Sequence, residues 1–577
     1  MYTAPKLIEL LEKQHQQRGI SDLFKKGTFT LLWRSKVGSF PHPDVETMVS
    51  AGEPCDVWYV DNGRPEDKRK LDQNLEKIPE LPLNGYIPGS SIRGIVRAWA
   101  MERPSIREQM YELLGYQEDN TIRAGKIEFF DAWSPEPTRL TLDIVNPQQD
   151  FQVYHDHEKQ SKPLSVYTLG NGENTIPVTV AIRGIPGKAT AQDVETVWEW
   201  LQQALKTHGV GSRTSAGYGQ IKPPSSFKPT TELRQLQREN GITTKEFDFT
   251  LYSQGCAGID RDEQELRPPH WRGWLRSWVL RFLLGVMSKE NAEETLSELM
   301  GVIEPNTRKG CVQIRMIKGR EIWGEKSINE PYFYIWKGKL QVRAPKDILN
   351  KIILPIIKFA VSCGGVGRGW RRPLHIFHMN NGKAAARGCH LVIRHRFTNQ
   401  EGEKQIKNFG LPPKSEAWNS TYKKWLEEVR LRWGSRVNVN ANKSLAAEVF
   451  SPQTCAVYLV PGPEENPIDE GDFEWLETDA EFTRGDGMYL IYQEKAPRKY
   501  KRNPDIGGNA ANSNPHCSWA SIKRVNIPNK EIGVDSQEIV CLFMGGKSPQ
   551  SNHIRSQFLS DLNNYIEGAI HLFGVSP

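Results

Sequence analysis

Ile87-Pro88-Gly89-Ser90-Ser91-Ile92-Arg93-Gly94-Ile95-Val96-Arg97-Ala98-Trp99 is the stretch on which the reading of this chain turns. Pro88-Gly89 breaks whatever precedes it, and the residues after it have helical spacing. Ser90 or Ser91 is expected to cap the new helix by accepting a bond from a free backbone N–H. Arg93 and Arg97 stand four apart, so they share one helix face. A helix N-terminus with free N–H groups, two hydroxyls and two cations suits a phosphate. The plain alternative is a capped surface helix with solvated arginines.

The stretch occurs twice. Arg267-Pro268-Pro269-His270-Trp271-Arg272-Gly273-Trp274-Leu275-Arg276-Ser277-Trp278 repeats Arg-Gly-x-x-Arg-x-Trp at the same spacing, with the serines lost. Three further landmarks follow in the same order. Leu113-Leu114-Gly115 is matched by Leu299-Met300-Gly301, and Gly125-Lys126-Ile127 by Gly310-Cys311-Val312. Gly209-Val210-Gly211-Ser212-Arg213 is matched by Gly364-Gly365-Val366-Gly367-Arg368. Four ordered landmarks point to internal duplication. Each copy reads strand, long loop, helix, strands, helix, glycine loop, strand. That order predicts an α+β fold of two tandem RRM-like, ferredoxin-like units, each with its helices on one face of the sheet. The expected boundaries are 1–222, a polar Pro-rich linker over 223–245, and 246–577 with an insertion at about 400–515. Strands at 518–525 and 538–544 are expected to complete the second unit's sheet. The basic run 495–514 reads as a disordered loop.

At 577 residues the chain exceeds one core, and 38% hydrophobic with 25% charged residues makes it globular. No apolar run is long enough for a membrane span and the first residues carry no signal pattern, so a cytoplasmic location is expected. Cysteines 55, 256, 311, 363, 389, 455, 517 and 541 form no CxxC pair, which argues against structural zinc and a disulfide framework. A net charge of +6 permits nucleic-acid binding. The seventeen tryptophans are expected mostly in the core.

The glycine loops bring backbone N–H groups close to a ligand, and Arg213 adds charge, which suits a sugar-phosphate backbone. They lack the Gly-Lys-Ser/Thr of a nucleotide-binding loop, which argues against NTP hydrolysis. The candidate RNA contacts are Ser90, Ser91, Arg93, Arg97, Gly211, Ser212, Arg213, Arg272, Arg276, Gly367 and Arg368. The long loop of the first copy carries Asp44, Asp56, Asp61 and Asp67, and the second copy has Asp260 and Asp262 after its first strand. Such a carboxylate near an RNA phosphate can hold a divalent ion or orient a 2′-hydroxyl; solvated loop acids are the alternative. His155 and His157 flank Asp156 but lack a third ligand at metal-site spacing. The Trp-rich helix 415–433 and the basic run 495–502 could track nucleic acid.

Together these residues resemble the RAMP superfamily of CRISPR-associated proteins, and most closely the backbone subunits of type III effector complexes. Ile-Pro-Gly-Ser-Ser-Ile-Arg-Gly at 87–94, Leu-Leu-Gly at 113–115 and Gly-Val-Gly-Ser-Arg-Thr-Ser-Ala-Gly-Tyr-Gly at 209–219 carry the likeness. Phe129-Phe130-Asp131-Ala132 and Asp143-Ile144-Val145-Asn146-Pro147 add to it. The resemblance implies RRM-like units stacked along a guide RNA, with the Ser/Arg helix and glycine loop on its backbone and a β-hairpin thumb in the guide–target duplex. It also implies that Asp56, Asp61, Asp260 or Asp262 cleaves target RNA with a divalent metal, magnesium above all. The implied partners are guide RNA, target RNA and other CRISPR-associated subunits, with no membrane. The alternatives are a non-catalytic scaffold in the same complex and a stand-alone guide-processing endoribonuclease.

Overall fold

The computed structural model describes the chain apart from residues 1–3, 38, 43–46, 51–84, 119–120, 136–139, 146–149, 157–163, 171–174, 240, 254–255, 258–263, 304–305, 319–324, 327–333, 379–383, 399–401, 443–444, 465–481, 493–499, 510–516, 530–532 and 546–548. It divides into two units, Met1–Pro147 with Lys162–Thr243, and Gln148–Ser161 with Thr244–Pro577.

In the first unit α1 (Ala4–Gln17) precedes β1 (Phe24–Leu31), β2 (Ser39–His42), β3 (Thr47–Ser50) and β4 (Tyr86–Ile87). Next come α2 (Gly89–Met101), α3 (Arg107–Leu114), β5 (Ile127–Phe129), β6 (Ala132–Trp133), and a separate hairpin of β7 (Leu140–Val145) and β8 (Leu164–Leu169). β9 (Ile176–Gly184), α4 (Ala191–His208), β10 (Ile221–Lys222) and α5 (Thr231–Glu239) close the unit. The main sheet runs β10-β1-β9-β6-β4-β2-β3, with β5 also on β9. β1 is antiparallel to both neighbours, pairing Phe29 with Val178 and Leu31 with Ile221. The series β1, α2, β5, β9, α4, β10 is therefore βαββαβ with spatial order 4-1-3-2, the ferredoxin-like arrangement. Inward residues of β1 and β9 (Phe29, Leu31, Val178, Val180, Ile182) bury against Val96 and Trp99 of α2 and Val197 and Leu201 of α4. α4 starts in a reciprocal cap, Thr190 accepting from the Asp193 N–H at 3.2 Å and Asp193 from the Thr190 N–H at 2.9 Å.

The second unit contains β11 (Ile242–Ser253), α6 (Pro268–Leu284), α7 (Lys289–Met300), β12 (Gln313–Lys318), β13 (Tyr334–Pro345) and α8 (Leu354–Cys363). β14 (His375–His378), β15 (Ala384–Arg387), β16 (Cys389–Thr398), β17 (Lys404–Asn408) and α9 (Ser415–Trp433) follow. The last elements are β18 (Cys455–Pro461), α10 (Asp486–Tyr492), β19 (Ala520–Asn529), β20 (Gly533–Phe543), α11 (Pro549–Tyr565) and β21 (Ile570–Gly574). Its main sheet runs β12-β13-β11-β16-β17, so β11, α6, β12, β13, α8, β16 has the same 4-1-3-2 order. α6 opens on Pro268 and Pro269, where a missing N–H removes nothing the helix would bond. α8 is entered through a π-helical stretch, Ile348–Ile353. Pro355 has no N–H to return to the carbonyl four residues back, and the backbone widens ahead of it.

Several expectations need correction. β19 and β20 do not extend the second unit's main sheet; they join β18 and β21 in a separate sheet of order β19-β20-β18-β21. The reason lies in β18, which is buried along almost its whole length and needs neighbours on both sides. The expected linker is folded: α5 lies inside 223–245, with Leu233 buried in the first core. Trp418 and Trp425 of α9 are not available to stack on bases. Trp418 lies 5.3 Å from Phe359 and Trp425 lies 5.0 Å from Phe282, both within the core. Within the basic run, Tyr500 is buried and donates to Asp561 at 2.7 Å, so at this point it is no disordered loop.

Candidate nucleic-acid interface

The two landmark arginine pairs occupy matching places. In α2, Arg93 donates through Nε to the Leu114 carbonyl at 3.0 Å, and Arg97 donates to the Gly115 carbonyl at 2.9 Å. In α6, Arg272 donates to the Met300 carbonyl and Arg276 to the Gly301 carbonyl at 3.2 Å. Those are the last carbonyls of α3 and α7, which have no partner within their own helices. Gly115 (φ 75, ψ 163) and Gly301 (φ 79, ψ 160) turn the chain there in a conformation that glycine alone adopts freely. The Arg-Gly-x-x-Arg pattern and the later Leu-Leu-Gly or Leu-Met-Gly are thus two halves of one contact.

Neither Ser90 nor Ser91 caps α2. Pro88 takes the N-cap position and the Gly89 N–H donates to the Asp131 carboxylate at 2.8 Å. A carboxylate from the turn between β5 and β6 already sits where a phosphate was expected. Ser90 and Arg93 remain exposed, while Arg276 is buried and forks onto Asp150 at 3.0 Å. Burial, then the neighbouring Arg276, push the Arg272 pKa down to about 10.

The glycine loops differ from this helix end. Ser212 and Arg213 are exposed at the tip of the first, and Arg368 at the tip of the second. Gly211 (φ 83) and Gly367 (φ 82) hold equivalent left-handed turns beside them. Arg213 itself sits at φ 55; among the described residues only His155 shares a positive φ without being glycine. A non-glycine residue held there stores backbone strain, and such strain clusters at ligand sites.

Residues 82–222 match the RAMP superfamily. The helix α2, the Leu-Leu-Gly turn, the glycine loop and β10 all lie in the matched region. No curated protein matches the chain. Among solved structures, the crystal structure of Cmr1 from Pyrococcus furiosus in its apo form is 14% identical, covers 57% of this chain and 99% of that one, and has a TM-score of 0.33. A chain of the type III-B Cmr-beta complex bound to cognate target RNA is 16% identical, covering 38% of this chain and 65% of that one, with a TM-score of 0.24. Cmr6 from Pyrococcus furiosus is 16% identical over 35% of this chain and 97% of that one, with a TM-score of 0.19.

Within the matched region, the glycine loop is tied down by a group to which the sequence assigned no role. Tyr218, between the last two glycines, donates to the buried Asp143 carboxylate at 2.5 Å, and the Arg34 guanidinium lies 3.5 Å from the same group. Asp143 was legible only as part of a motif without a stated job, as was Asp131. In the second unit Arg371, just past the glycine loop, reaches the buried Glu448 at 2.6 Å. Arg281 and His155 also bond Glu448, His155 at 2.9 Å, and the His155 ring stacks on Trp519 at 3.7 Å. Burial opposes ionisation of Glu448, but Arg371, Arg281 and His155 prevail and hold its carboxyl well below the usual range. His155 is therefore a core histidine; His157 lies outside the described residues. Asp44, Asp56, Asp61, Asp67, Asp260 and Asp262 lie outside them as well. Among the described residues no three His, Cys, Asp or Glu side chains gather as a metal-binding group, and no helix is long and apolar enough to cross a membrane.

Proposed function

We propose that the chain is a guide-RNA-binding backbone subunit of a type III CRISPR ribonucleoprotein, built from two tandem RAMP units. The observation that carries the reading is the exposed arginine at the tip of each glycine loop, Arg213 in left-handed backbone and Arg368 at the equivalent place. The RAMP match over 82–222 and the shared 4-1-3-2 strand order support it. In this reading Gly211, Ser212, Arg213, Gly367 and Arg368 hold RNA phosphates, with Ser90, Ser91 and Arg93 on the flank of α2. Arg97, Arg272 and Arg276 act chiefly by fixing the ends of α3 and α7. Guide RNA, target RNA and other complex subunits are the partners, with sequence read by base pairing and the protein reading backbone shape.

The test is copurifying RNA. Arg213→Glu combined with Arg368→Glu should strip it from the purified chain, and full retention overturns the reading. Cleavage of target RNA with a divalent ion through Asp56, Asp61, Asp260 or Asp262 belongs to the same proposal. If single Asp→Ala changes at all four leave cutting by the assembled complex intact, the non-catalytic scaffold stands instead.

A further inference from the structure

A second basic surface lies at the free edge of the second unit's main sheet. β17 is the last strand, exposed at all five residues, and pairs His395 of β16 with Lys407 and Phe397 with Gln405. Lys407 sits 4.6 Å above the Phe397 ring, and Lys358 of α8 sits 5.5 Å above the Phe409 ring. His395 lies 5.5 Å from both phenylalanine rings. Lys245 lies on the same face of β11 as Phe247, whose ring is 4.5 Å from the Phe409 ring; burial first, then Lys358, Lys407 and Lys245 nearby, lower the His395 pKa. Three elements thus converge three ammonium groups on one half-exposed aromatic patch.

The charges there are unbalanced. Two exposed lysines elsewhere in this unit have acid partners, Lys339 with Glu246 at 2.5 Å and Lys351 with Glu428 at 2.9 Å; what sets the patch apart is that its lysines gather around aromatic rings. Among the described residues no carboxylate pairs with Lys245, Lys358 or Lys407. Guarding a sheet edge against strand addition accounts for Lys404 and Lys407 on β17. It does not account for Lys358 on a helix or Lys245 on an interior strand. Cations interleaved with aromatic rings suit single-stranded nucleic acid, phosphates on the ammonium groups and a base on a ring; an acidic peptide would have no use for Phe397 and His395.

We propose that Lys245, Lys358 and Lys407, with Phe397 and His395, form a further contact for single-stranded RNA, separate from the glycine loops. The choice of RNA as ligand rests on the function proposed above; the patch itself does not. The test is anisotropy titration of a labelled single-stranded 15-mer RNA against the full chain over a salt series, about 0.7 in log–log slope being lost per phosphate contact removed. Four proteins are compared: wild type, the Arg213→Glu/Arg368→Glu loop variant, a Lys245→Gln/Lys358→Gln/Lys407→Gln patch variant, and the three-fold Lys→Arg control. The patch variant should bind more weakly, with a slope shallower by about 2, and the Lys→Arg control should bind like wild type. Phe397→Leu should weaken binding about tenfold. If the loop variant loses RNA while the patch variant keeps wild-type affinity and slope, this inference falls and the glycine-loop reading stands. If the patch variant loses RNA while the loop variant keeps wild-type binding, the patch stands and the glycine-loop reading falls. An acidic peptide that competes at the patch better than the RNA also overturns the inference.

Discussion

In the first unit Arg93 is exposed and Arg97 half-buried, and their hydrogen bonds run to backbone carbonyls at the end of α3. In the second, Arg276 is buried and carries Asp150 as well as the Gly301 carbonyl, and Arg272 is desolvated enough to bring its pKa to about 10. The same motif thus works in two media. Near solvent, each guanidinium exchanges water for a carbonyl at a net gain of about 1 kcal/mol. In the interior it also has to hold a carboxylate, and removing one partner leaves the other stranded. The loop anchors differ in the same sense: Asp143 with Tyr218 and Arg34 in the first unit, against Glu448 with Arg371, Arg281 and His155 in the second.

The contrast can be broken at its most buried point first. Glu448→Gln leaves Arg281 and Arg371 without their counter-charge, and should destabilise the second unit by about 3–5 kcal/mol in urea unfolding. Arg276→Ala should cost about 2 kcal/mol by the same measurement, since Asp150 keeps some contact with solvent. Acidification sharpens the comparison. Burial, with Arg484, Arg524 and Arg372 nearby, brings the His375 pKa down to about 3 against an ordinary 6.5. Between those values the unfolded chain takes up a proton that the folded chain refuses, so stability falls as pH drops through 6.5, by up to about 1.4 kcal/mol per pH unit. His375→Phe should flatten that slope in thermal melts from pH 7 to 4. The smallest effect is expected at Arg97→Ala, about 1 kcal/mol, with α3 losing protection in amide exchange. Equal losses at Arg97 and Arg276 would mean that burial does not separate the two pairs.

Much of this was legible in the sequence because periodicity and turn chemistry are local. Helices 191–208 and 415–433 end where their apolar spacing ends. The recurrence of Arg-Gly-x-x-Arg-x-Trp foretold a recurring element because an i,i+4 pair needs no tertiary knowledge to be placed on one face. Sequence reasoning went astray where a partner lies far along the chain. Ser90 looked like the cap of α2, but the cap is Asp131, forty-two residues away from Gly89. The tryptophans of α9 looked available, but Phe282 and Phe359 come from other helices to cover them.

By itself, then, the sequence determined the helices at 89–101, 191–208 and 415–433, the two glycine loops and the pairing of landmarks, all set by dihedral preference and hydrophobic period within a few turns of chain. Only the tertiary structure decided that the arginines close the ends of α3 and α7, that Asp143 and Glu448 hold the glycine loops, and that β18 to β21 make their own sheet. Those outcomes depend on which buried polar group or strand edge finds a partner across long stretches of chain, and desolvation rather than local propensity makes that choice.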